Sequence, residues 1–130
     1  AIDAAMGVMG TTDGEIYKCT YVRRETVADG PLILPTGLGA TTSVNFQPLG
    51  GGRAALSGDL VMIAQEVQPA LMALRHGGVK LVEVHHHNLT DEPRLFFVHY
   101  WAVGDAVSLA KAVRRAVDTT NVVPMPGGAA

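Results

Sequence analysis

A chain of 130 residues, 48% hydrophobic and 17% charged, has the size and composition of one domain able to build its own core. Its formal net charge of −2 leaves no basic excess to track a phosphate backbone, so nucleic acid is excluded as an expected partner. No apolar run approaches the ~20 residues that cross a bilayer as a helix, so no transmembrane segment is expected.

In chain order, Ile2 to Met9 is compatible with a short helix closed by Gly10. Glu15 to Val22 reads as a strand, rich in aromatic and β-branched residues. Asp29-Gly30-Pro31 is a turn, and Leu32 to Thr42, broken by Pro35, Gly37 and Gly39, is a loop long enough to form the wall or lid of a site. Ser43 to Leu49 and Arg53 to Ile63 are strands joined by Gly50-Gly51-Gly52. The triplet sits between two strands and no Lys-Ser/Thr pair follows it, so a hairpin turn is expected rather than a phosphate loop.

Helical spacing of Val67, Ala70, Leu71 and Leu74 predicts a helix over 64–76, with Pro69 in its first turn and Gly77-Gly78 as a left-handed stop. Leu81 to Asn88 and Leu95 to Ala102 are strands around a hairpin centred on Glu92. A last helix begins at Asp105, a good N-cap, and buries Leu109, Ala110, Val113, Ala116 and Val117 along one face. The order is α-β-β-β-α-β-β-α. The expected class is α+β, a mainly antiparallel sheet with helices packed on one face, as a single domain over 1–123 with a flexible tail over 124–130.

The chemistry concentrates on the second hairpin, since four of the five histidines fall between positions 85 and 99. Alternation places His85 and His87 on one face and His86 on the other. With the hairpin centred on Glu92, His87 opposes Phe97 and His85 opposes His99, and directly opposed residues have Cβ atoms roughly 5 Å apart. Three imidazoles then converge, as a three-histidine metal site requires. The same face carries Glu83, a candidate fourth ligand, orienting acceptor or general base, and Phe97 and Trp101, which would wall a ligand pocket. Val82, Val84, Phe96 and Val98 form the expected core face, and the largely apolar character of both faces implies that the histidine face is also covered.

Other residues carry weaker signals. Asp59, after Gly58, reads as a carboxylate at a bend in a strand or, equally well, as turn chemistry, Asp91 and Glu92 lie at a hairpin tip, and Arg23-Arg24 suits a solvated strand edge. Cys19 is the only cysteine, so an intrachain disulfide is unavailable, and no histidine partner can be assigned to it. The chain opens Ala1-Ile2-Asp3 without Met, which suits either a removed leader or a trimmed chain.

The string His85-His86-His87-Asn88-Leu89, followed by Glu92-Pro93-Arg94-Leu95-Phe96-Phe97-Val98-His99 and Gly104-Asp105, resembles the LppY/LpqO family of mycobacterial lipoprotein-like domains of unknown function. Phe46-Gln47-Pro48, Gly58-Asp59-Leu60-Val61 and Glu66-Val67 with Pro69 add to it, and the resemblance covers most of residues 3 to 119. The family's His-Asn-His and later His fall on His85, His87 and His99. His86 stands where Asn is usual and Glu83 where a small residue is usual, which weakens a catalytic role for either. The resemblance implies export or attachment to the cell envelope, a cytoplasmic location not being excluded. It also implies a homodimer in place of the second half that longer members carry.

The leading expectation is therefore a metal-binding protein with His85, His87 and His99 as ligands to zinc or copper. If catalytic, it would perform metal-assisted hydrolysis. The alternatives are a binding module gripping a small organic molecule between Phe97, Trp101 and the histidines, and a structural envelope domain without catalysis.

Overall fold

In a computed structural model of the protein, which describes residues 1–34, 41–87 and 91–125, helix α1 (Ile2–Met6) leads into β1 (Thr11–Asp13) and β2 (Ile16–Arg23). Two short strands follow, β3 (Ala28–Asp29) and β4 (Leu32–Ile33), and then the long hairpin of β5 (Thr41–Gly50) and β6 (Arg53–Met62). A 3-10 turn (Ala64–Glu66) enters α2 (Val67–His76). After it come β7 (Lys80–His85), β8 (Asp91–Glu92), β9 (Phe96–Asp105), α3 (Ala106–Val117) and β10 (Val122–Pro124). The strands pair antiparallel in the order β1-β2-β5-β6-β9-β7, with β10 also on β2, while β4-β3-β8 make a separate small sheet. The α+β class, the mainly antiparallel sheet and the single domain are as the residue pattern predicts.

Alternation explains the layering. Thr42, Val44 and Phe46 of β5, Ala54, Leu56 and Leu60 of β6, and Val98, Tyr100 and Ala102 of β9 are buried, and all but Thr42 share one core cluster with Leu109, Val113 and Val117 of α3. The intervening Ser43, Asn45, Ser57, Asp59 and His99 are half-exposed on the opposite face. An antiparallel sheet with one packed and one solvated face has this pattern. Asp105 caps α3 as expected, its carboxylate accepting from the Ser108 N–H at 2.9 Å, and that bond holds the carboxyl below its usual range.

The turn between β5 and β6 is a hairpin. Gly50, Gly51 and Gly52 all have left-handed backbone (φ 86°, 62° and 77°), and the Gly52 carbonyl accepts from the Ala106 N–H at 2.9 Å, tying the start of α3 to the sheet. A second glycine matters for close approach. The Tyr100 hydroxyl donates to the Ser43 carbonyl two strands away at 2.9 Å, passing over Gly58, where a Cβ would lie 2.0 Å from the Ser43 oxygen and 2.6 Å from the Tyr100 hydroxyl. One phenol thus locks β9 to β5 across the middle of β6.

Several expectations change. Helix α1 stops at Met6, short of the expected Met9, and α2 proper starts at Val67 after the 3-10 turn. The loop expected over Leu32 to Thr42 opens with β4 and ends inside β5, residues 35–40 lying outside those described. Pro124 pairs with Tyr21, and the Met125 N–H donates to the Thr20 carbonyl at 3.0 Å, so ordered chain continues past 123. Residues 126–130 of the expected tail lie outside the described residues.

Arg23, expected at a solvated edge, is buried, its side chain only 1% exposed. It pairs with Glu25 at 2.8 Å and Glu66 at 2.5 Å. Glu66 also accepts from the Ile63 and Asn121 N–H groups, each at 2.9 Å, so the cluster joins β2, the 3-10 turn and the approach to β10. Arg23's hydrogen bonds hold the Glu25 carboxyl below its ordinary value.

The close passage over Gly58 makes Gly58→Ala costly, by about 3 kcal/mol as an overpacked site, while Tyr100→Phe removes one hydrogen bond worth about 1 kcal/mol. Urea unfolding of both variants checks this, and a neutral Gly58→Ala would show that the phenol does not cross there.

Candidate functional site

The strand pairing lays side chains of the open face in transverse rows. Thr20 pairs with Ser43, Ser43 with Asp59, Asp59 with His99 and His99 with Glu83, so five polar residues from β2, β5, β6, β9 and β7 form one line across the sheet. Next to it runs a row of Lys18, Asn45, Ser57, Trp101 and Lys80. On the other side Val61, Phe97 and His85 form a third row, whose two apolar members are buried. Val27 and Leu95, which flank strands of the small sheet, belong to the same core cluster as Val61 and Phe97. Among the described residues the histidine face is therefore closed only at this end, not along its length as expected.

This register corrects the expected site. His85 lies opposite Phe97 and His99 opposite Glu83, a slip of two residues from a hairpin centred on Glu92. An even slip keeps all these side chains on one face but moves His99 one row away from His85, about 7 Å along the strand. A bulge between Leu81 and Glu83 accompanies the shift. The three imidazoles then find different partners. His99 Nδ1 lies 3.3 Å from Asp59 Oδ1. His85 and His87 face each other, Nε2 to Nε2 at 2.9 Å, and the His87 ring stands edge-on to Phe97 with centroids 4.3 Å apart.

Among the described residues no group of three or more His, Cys, Asp or Glu side chains is arranged to hold a metal ion. The expectation of a metal-binding protein built on His85, His87 and His99 is thereby overturned, and with it metal-assisted hydrolysis. The physical reason is local: at the sheet centre a carboxylate directly opposite His99 offers a nearer partner than two imidazoles at the sheet edge.

Each remaining candidate can be placed. Glu83 is exposed on edge strand β7, its Oε1 3.4 Å from His85 Nδ1, too poorly aligned for a hydrogen bond, so that buried nitrogen is unpartnered. Phe97 is buried and cannot wall an open pocket, whereas Trp101 is 44% exposed. Val82 and Val84, expected in the core, are largely exposed because β7, among the described residues, has a neighbour on one side only. Asn88 to Thr90, in the expected strand and hairpin, lie outside the described residues. Asp91 is no solvated tip: it is buried, accepts from the Leu95 N–H at 2.9 Å and pairs with Arg94 at 2.8 Å. Cys19 is buried, and burial, aided by the charge of Asp3, pushes its thiol up to about 11, which removes it as a nucleophile at neutral pH.

The residue pattern leaves Asp59 equally a strand-bend carboxylate or a turn residue and does not single out Ser43, Asn45 or Ser57. Asp59 lies well inside β6, and the available signal was its alternation with buried Leu56 and Leu60. The resulting patch joins a carboxylate–imidazole pair, hydroxyls, an amide and one half-exposed indole on a hydrogen-bonded floor. A separate cavity of about 470 Å³, lined in part by Ile2, Tyr17, Pro48 and Val107, touches none of these groups.

A family model described as Domain of Unknown Function (DUF1259) matches residues 1–119. That description does not contain the LppY/LpqO name. No curated protein and no solved structure matches the chain.

The register can be checked chemically. Glu83→Cys with His99→Cys puts two thiols on directly opposed positions, within disulfide reach, and mild oxidation should link them. His85→Cys with His99→Cys should stay reduced, and the reverse outcome on mass spectrometry would restore the converging triad.

Proposed function

The chain belongs to the DUF1259 family, whose description assigns no activity, and from its geometry we propose that it is a binding module for a small polar ligand on the open sheet face, anchored by Asp59 and His99. The observation that carries this is the cross-strand row through Thr20, Ser43, Asp59, His99 and Glu83, with half-exposed Trp101 beside it. The half-exposed indole adds to these polar groups an apolar face and an N–H donor that a ligand can use. Asp59 accepts two or more hydrogen bonds, and His99 supplies a ring nitrogen beyond the one near Asp59. Both stand on the central strands, where neighbours on either side hold them in position.

The test is thermal stabilisation by a panel of small polar compounds, run on the natural chain and on Asp59→Asn and His99→Ala. A ligand at a hundred times its Kd adds about 2.7 kcal/mol to the folded state, a rise of several degrees. Compounds that stabilise the natural chain and lose that effect in both variants support the reading. A panel that stabilises nothing, or stabilises all three proteins alike, refutes it.

A homodimer is the second proposal, supported by edge strand β7, which presents Val82 and Val84 to solvent. Light scattering should give twice the chain mass, and Val82→Lys with Val84→Lys should halve it. A monomer at every concentration reached discards the pairing.

A further inference from the structure

The composition of the open face identifies a class of ligand, and the argument rests on the binding-face reading above. Charge comes first. The two polar rows carry Lys18 and Lys80 at the flanks, and Asp59 and Glu83 between and beside them, so the formal charges cancel. A phosphorylated or otherwise anionic ligand centred on the patch would meet the Asp59 carboxylate, and the described residues offer no arginine there to offset it. A cationic ligand would find no acidic cluster, because Asp59 already faces His99 at 3.3 Å and Glu83 lies near His85.

The hydrogen-bonding inventory is mixed in the same way. Ser43, Ser57 and Asn45 each donate and accept, Asp59 accepts, and a neutral His99 ring does one of each. A neutral molecule with adjacent hydroxyls, themselves donors and acceptors, satisfies such a set without leaving an unpaired charge. Trp101 lies one row from His99 on the same strand, and its indole face attracts the slightly positive C–H groups of a saturated ring. Beyond it Val103, 47% exposed, extends the apolar margin. The floor itself is stiff, since the Tyr100 hydroxyl ties β9 to the Ser43 carbonyl under this patch. From β2 to β7 the rows run about 19 Å, four strand spacings, room for several linked rings lying flat.

We propose that the open face of β2, β5, β6, β9 and β7 binds a neutral oligosaccharide, one ring stacked on Trp101 and its hydroxyls shared among Asp59, His99, Ser57 and Asn45. The shallow patch favours extended chains over single sugars, because each added ring covers another part of a row.

Trp101 is the single tryptophan of the chain, so its fluorescence reports on this patch alone. The experiment titrates the purified chain with cellohexaose, xylohexaose, maltohexaose and chitohexaose, with inorganic phosphate and spermine as charged controls. The expected result is a saturable blue shift with at least one hexasaccharide and none with the charged controls. Asp59→Asn should weaken binding by about tenfold, and the corresponding monosaccharide should bind more weakly still. Circular dichroism of the variant confirms that it folds. If no hexasaccharide shifts the emission, or if Asp59→Asn binds as tightly as the natural chain, the oligosaccharide assignment is overturned. The two readings fail separately: Asp59-dependent stabilisation by another polar compound would leave a binding face without this ligand class, whereas stabilisation by none removes both.

Discussion

The ladder between β6 and β9 is the constraint on which the rest depends. Every residue from Arg53 to Met62 pairs with one from Asp105 back to Phe96, without a break. Because side chains alternate along each strand, this single register decides which ones share a row and which face the helices. It puts Leu56, Leu60, Val98 and Tyr100 into the core and leaves Ser57, Asp59, His99 and Trp101 on the other side. A slip of one residue would bury Asp59 and expose Leu60, at a cost of several kcal/mol for an unpaired carboxylate alone. The two hairpin neighbours are then held by specific means. The Gly50–Gly52 turn returns β5 onto β6, and the Tyr100 hydroxyl binds β5 directly through the space above Gly58.

The fate of the histidines follows from position in the sheet. His99 sits on a strand paired on both sides, so its row is completed by Asp59 and Glu83, and its ring answers the nearer carboxylate. His85 and His87 belong to the edge, where β7 has one neighbour among the described residues and a bulge has already displaced the register. There the rings turn to each other and to Phe97. Residue types that suit a metal were gathered on one face, yet one row of separation, about 7 Å, divides them between two environments. The polar centre of the sheet carries the chemistry that remains.

Charges are buried in the fold where they have partners and backbone donors to satisfy. Arg23 lies inside because Glu25 and Glu66 meet its guanidinium, while Ile63 and Asn121 fill the remaining acceptor sites of Glu66. Asp91 is inside because the Leu95 N–H and Arg94 reach it. The Arg23–Glu66 pairing joins segments 43 residues apart in the chain, whereas Asp91 is met by Arg94 and Leu95 three and four residues on. No local pattern announces the Arg23–Glu66 pair, so of two arginines read as a solvated edge Arg23 turned inward while Arg24 stayed exposed, and an acid read as a hairpin tip is buried as well.

Local physics in the sequence by itself determined the class of the protein, its long strands, the glycine hairpin and the final helix with its Asp105 cap. These depend on alternation, helical spacing, backbone freedom at Gly50–Gly52 and a carboxylate beside free N–H groups, all properties of adjacent residues. Alternation also placed His85, His99, Glu83 and Trp101 on one face, since that requires only parity. What the tertiary structure alone decided was the row each of them occupies. Strand register is set by the ladder of a partner strand, by the bulge at Val82 and by the packing of Phe97 and Val61 at the closed end of the face. Those are interactions between segments far apart in the chain, and they separated three imidazoles while bringing Asp59, forty residues away, to His99.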